Sequence, residues 1–124
     1  MKHFGQERRR YVRIKRNFVL TYFIKGTPEE KYEISQLKNI SKGGMCFVTT
    51  NALDENLLVG IELRTPYLSD TTYIEGKVLE SHEKVRDMIY ETRLQFQSLD
   101  SQAEFLLDKL VEIFTQGENQ NESN

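Results

Sequence analysis

The chain has 124 residues, 38% hydrophobic and 29% charged, a balance that suits one globular domain built around one core. No apolar run approaches the ~20 residues that span a bilayer. The charged N-terminus is followed by neither an apolar segment nor a small-residue cleavage site, so the sequence reads as a soluble cytoplasmic protein without a secretory leader or membrane insertion. The net charge of -2 hides a division: residues 1–16 carry seven Lys/Arg against Glu7 alone, and the other 108 residues carry ten basic against eighteen acidic side chains. A basic segment on an acidic body points to one local anionic partner and argues against a nucleic acid coated along its length.

In chain order, Glu7 to Arg16 opens with Arg8, Arg9, Arg10 and Arg13, four guanidinium groups within six residues. Planar forks of this kind suit phosphate oxygens and the N7/O6 edge of guanine. Phe18 to Ile24 is aromatic and β-branched and predicts a strand, ended by Lys25-Gly26-Thr27-Pro28-Glu29. Lys31 to Ile40 alternates at Tyr32 and Ile34, then puts Leu37 on the other parity. A slip of this kind predicts a bulge near Ser35-Gln36 that bends the sheet. Asn39-Ile40-Ser41-Lys42-Gly43-Gly44 then predicts a turn. Its Asn39 amide and Ser41 hydroxyl supply the acceptors that arginine lacks, and Gly43 and Gly44 permit close backbone approach.

Met45 to Thr49 is apolar on both parities, so a strand there needs cover on both faces. Gly60 to Arg64, Thr71 to Ser81 and Ile89 to Phe96 alternate as further strands, with Pro66 stopping the first and His82 to Met88 reading as a charged hairpin loop. In the last strand Tyr90, Thr92, Leu94 and Phe96 face inward. The period then changes to 3.6: Ser101-Gln102-Ala103-Glu104 has capping-box spacing, Ala103, Leu106, Leu107, Leu110 and Phe114 share a face, and Gly117 ends a helix over 101–116. That helix is the natural lid for the strand around Phe47. The expected fold is an all-β core with one helix: a six-stranded antiparallel barrel (17–97) capped by a C-terminal α-helix, preceded by a flexible basic arm (1–16) and followed by a disordered tail (118–124).

The chemistry of most enzymes is absent from this pattern. His3 and His82 lie far apart without neighbouring ligands at metal spacing, Cys46 sits alone among apolar residues as a buried structural thiol, and no nucleophile elbow or phosphate-binding glycine loop occurs. Neither a metal, a cofactor nor a catalytic residue is expected.

Arg9-Arg10-Tyr11-Val12-Arg13 resembles the Arg-x-x-x-Arg motif of the bacterial PilZ domain family, and Asn39 to Gly44 resembles that family's [Asp/Asn]-x-Ser-x-x-Gly motif. The resemblance covers roughly Arg8 to Phe96, and the terminal helix is similar to that of single-domain members. It implies a single domain over 1–117 with a six-stranded barrel that binds the second messenger cyclic di-GMP. Arg9 and Arg13 would hold phosphate oxygens and a guanine edge, Arg8 and Arg10 would add contacts, and Asn39, Ser41, Gly43 and Gly44 would meet the other guanine. Many members carry a Trp or Arg in the strand after the glycine matching Gly76. Here Lys77-Val78-Leu79-Glu80 stands in that stretch, and an inward Glu80 would oppose a phosphate-bearing ligand. The implied protein is a receptor whose arm orders on the ligand to regulate a downstream protein. Its alternatives are a PilZ scaffold for protein contacts that binds no nucleotide, and a small barrel for single-stranded nucleic acid, which the acidic body disfavours.

Overall fold

The computed structural model describes residues 12–13, 18–65 and 68–123, with side chains for 18–65 and 70–115. Eight strands, β1 (Val12–Arg13), β2 (Val19–Ile24), β3 (Tyr32–Ile34), β4 (Gln36–Ile40), β5 (Gly44–Thr49), β6 (Leu58–Thr65), β7 (Leu68–Val85) and β8 (Ile89–Ser98), precede the helix α1 (Ser101–Ser123). The strands form one antiparallel sheet in the order β1-β4-β5-β8-β7-β6-β2-β3. The protein is thus mostly β with one helix. The closed six-stranded barrel is corrected to a curled sheet whose edges, β1 and β3, do not pair with each other among the described residues.

Both differences have a local cause. The expected strand Lys31 to Ile40 divides at Ser35: Ile34 and Leu37, on opposite parities, are both buried because Ser35 leaves the ladder between them. β3 pairs with β2 and β4 pairs with β5, so one residue of chain links the two sides of the sheet and draws them toward each other. The other added strand, β1, comes from the basic segment and pairs Val12 with Leu37 and Arg13 with Gln36. Bulges at Lys38, Leu79 and Lys84, where the register slips by one residue, add further bend.

The curl encloses a core drawn from β2 to β8 and α1, including Leu20, Tyr22, Ile34, Leu37, Phe47, Ile61, Leu63, Ile74, Val78 and Leu94. Helix α1 inserts Ala103, Leu106, Leu107, Leu110 and Phe114 into that cluster, the face expected from the 3.6 period. It lies against β1, β4 and β7 and not over the outer side of β5. The doubly apolar β5 is covered differently: Met45 and Phe47 enter the core, and Cys46 lies outside that cluster beside Lys38, Glu91 and Arg93. Threonines complete the interior, with the Thr92 hydroxyl 2.9 Å from that of Thr49 and 2.8 Å from that of Ser81, and the Thr49 hydroxyl donating to the Asn51 carbonyl.

The helix starts one residue earlier in its cap than expected. Asp100, not Ser101, is the N-cap: its Oδ1 accepts the Ala103 N–H at 2.8 Å and its carbonyl accepts the Glu104 N–H at 3.0 Å. At the other end α1 passes Gly117 and continues to Ser123, through most of the segment expected as a disordered tail. A glycine in a helix interior costs about 1 kcal/mol, which weakens a helix without terminating it. The hairpin expected over His82 to Met88 is shorter, because β7 extends to Val85 and the chain reverses at Arg86–Met88, with Asp87 at φ 60° and its N–H donated to Glu83. These strands run past the core, so backbone pairing holds them and no apolar alternation marks them.

Candidate functional site

The turn between β4 and β5 is built from its own residues. The Ser41 N–H donates to the Gly44 carbonyl at 2.9 Å, and the Gly43 N–H donates to the Ser41 hydroxyl at 3.1 Å. The Gly43 carbonyl accepts the Phe96 N–H at 2.9 Å, tying the turn to β8. Lys42 pairs with Asp108 of α1 at 3.4 Å, an exposed contact between turn and helix. Gly44 has a structural reason to be glycine: a Cβ there would stand 2.1 Å from the Leu94 carbonyl oxygen. The close approach is thus made to β8, independently of any ligand.

Cross-strand register arranges the outer face beside this turn. Asn39 lies opposite Cys46, Cys46 opposite Arg93, and Arg93 opposite Glu80, so one row crosses β4, β5, β8 and β7. In the row a small thiol stands between two longer polar side chains. Two hollows open on either side of it. The first, of about 250 Å³, is lined by Asn39, Ser41, Gly43, Gly44, Met45, Leu79, Arg93, Leu94 and Gln95. The second, of about 440 Å³, is lined by Lys38, Asn39, Cys46, Glu80, His82, Glu91 and Arg93. Asn39 and Arg93 belong to both.

Charges in and beside the row are paired. Arg93 Nη1 donates to Glu80 Oε2 at 3.0 Å with both side chains about half exposed, and Lys38 donates to Glu91 at 3.4 Å. Glu80 therefore stands at the site, as its position after Gly76 implies, with its charge offset by Arg93. Burial, followed by the Glu91 carboxylate, pushes the Cys46 thiol up from its ordinary value, which keeps it in the unreactive protonated form.

The structure thus gathers Asn39, Ser41, Gly43 and Gly44 around one hollow. The backbone of Arg13 pairs with Gln36 on the strand that carries Asn39. Arg8, Arg9 and Arg10 lie outside the described residues, as does the Arg13 side chain. Arg93 was not among the residues singled out from the sequence. Its outward parity on β8 was legible, but its place beside Asn39 depends on register across three strands. Among the described residues, no cluster of three His, Cys, Asp or Glu side chains is arranged to hold a metal, and no helix is long and apolar enough to cross a membrane.

Fold and site together define a small curled antiparallel sheet with a polar groove on its outer face next to a glycine turn. The chain belongs to the PilZ domain family, whose model matches residues 7–113. Among solved structures it is similar to the Bacillus subtilis inhibitor of motility MotI/DgrA, at 18% identity and a TM-score of 0.54, over 86% of this chain and 49% of that one. It is also similar to K. pneumonia MrkH in its apo state, at 18% identity and a TM-score of 0.58, over 89% of this chain and 51% of that one. A second MrkH crystal matches with a TM-score of 0.57. The chain spans about half the length of these proteins, and the likeness concerns the fold. No curated protein matches the sequence.

Proposed function

We propose that this protein is a cytoplasmic receptor for cyclic di-GMP that binds the dinucleotide with its basic N-terminal segment and the Asn39–Gly44 turn, and passes the binding event to a partner protein without catalysis. Membership of the PilZ domain family supports the ligand, since family members typically bind it. The observation that carries the reading is the hollow that collects Asn39, Ser41, Gly43 and Gly44 beside β4, the strand to which the arginine segment is joined through Arg13 and Gln36. Phosphates demand cationic forks and guanine demands mixed donors and acceptors, and the two motifs divide those tasks.

In this reading residues 1–117 act as one unit. Arg9 and Arg13 hold phosphate oxygens and a guanine edge, with Arg8 and Arg10 adding contacts. Asn39 and Ser41 meet the second base. The dianionic ligand offsets the net charge of +6 on residues 1–16 and draws the arginine segment toward Asn39 and Ser41. Contacts made only in the closed form supply the differential affinity a switch requires. Isothermal titration with cyclic di-GMP, with GTP and cyclic AMP as controls, tests this. Saturable binding of cyclic di-GMP alone is expected, weakened at least tenfold by Arg9→Ala or Arg13→Ala. Wild-type affinity in both variants would remove the site assignment.

A further inference from the structure

Arg93 stands between the two hollows and lines both, in the same cross-strand row as Asn39. A ligand with two bases joined by phosphodiesters that lays one base in each hollow must carry its phosphates across this row. The row offers a cation at that point. Arg93 is half exposed, and its only described partner, Glu80, takes Nη1. The guanidinium has five donors in a fixed fork, so one carboxylate contact leaves others for a second anion. Cys46 between Asn39 and Arg93 keeps the crossing low, because its short side chain is buried to 3% exposure. The bulge at Leu79 turns an apolar side chain into the first hollow, giving it a wall suited to a base.

We propose that Arg93 is a phosphate-contacting residue for a single cyclic dinucleotide that spans both hollows. This rests on the cyclic di-GMP reading above and extends its site beyond the two motifs to β8 and β7. The assignment concerns charge, which separates it from a packing role: a phosphate contact is retained by lysine and is released by salt.

The test is calorimetric titration of cyclic di-GMP into wild type, Arg93→Ala and Arg93→Lys at two salt concentrations, with melting curves to show that each variant is folded. The expected results are one ligand per chain in wild type and affinity reduced about tenfold or more in Arg93→Ala. Arg93→Lys should retain most of the affinity, and the loss of affinity with added salt should be smaller in the alanine variant, since one screened charge contact has been removed. Wild-type affinity and salt dependence in a folded Arg93→Ala would overturn the proposal while leaving the receptor reading standing. Loss of affinity with an unchanged salt dependence would overturn the phosphate role. Absence of binding by wild type would overturn the receptor reading and this extension together.

Discussion

Tyr22 shows how a single side chain sets a stability limit. It is 3% exposed, with its ring stacked on Tyr32 at 5.1 Å between centroids and edge-on to Phe47 at 5.5 Å. Burial, aided by Tyr32, pushes its phenol from 10.0 up to about 12. The raised value means that the folded state holds the proton more tightly than the unfolded chain. Its contribution is intact below pH 10 and is lost as pH rises from 10 toward 12, at up to about 1.4 kcal/mol per pH unit. Urea unfolding of wild type and Tyr22→Phe across pH 8 to 11.5 checks this, since other alkaline titrations are common to both. Wild type should lose stability relative to the variant above pH 10, whereas parallel curves would contradict the assignment. At the site, Glu80 lies beside the groove and pairs with Arg93 at 3.0 Å.

At the scale of elements, the β5–β8 ladder depends on Gly44. A Cβ at this position would meet the Leu94 carbonyl oxygen at 2.1 Å, and backbone cannot yield as a flexible side chain does. Gly44→Ala should cost about 2 kcal/mol or more in chemical unfolding, whereas Gly43→Ala, whose Cβ would approach nothing nearer than the Ser41 hydroxyl at 3.7 Å, should cost far less. Equal losses would mean that turn conformation and not β8 proximity governs the motif. The elements differ in how legibly the sequence announces them. The buried face of α1 and the inward side of β8 follow from periodicity, because each has one apolar face. The bend at Ser35 follows from the slip between Ile34 and Leu37. The outer reach of β7 does not, because backbone hydrogen bonds sustain it without a core-facing pattern, and neither do the two-residue β1 and the passage of α1 through Gly117. The expected cover by α1 is met on the Phe47 side of β5, which shares the core with the helix, while on the other side Cys46 lies among the polar side chains Lys38, Glu91 and Arg93 of β4 and β8.

At the scale of the molecule, a core enclosed by a curled sheet and plugged by α1 leaves the outer face of β4, β5, β8 and β7 free to carry polar chemistry. The sequence made the Asn39–Gly44 half of the candidate site legible because motif residues adjacent in sequence share one turn. The Arg93–Glu80 half is assembled from strands distant in sequence and becomes visible only through their register. The most direct measurement of the central claim is a titration of isotopically labelled protein with cyclic di-GMP, followed by amide chemical shifts. Saturable shifts centred on Asn39–Gly44, Arg93–Gln95 and Leu79–Glu80, with little change on β2 and β6, are the predicted result. Shifts confined to other faces, or no shifts at all, would contradict it.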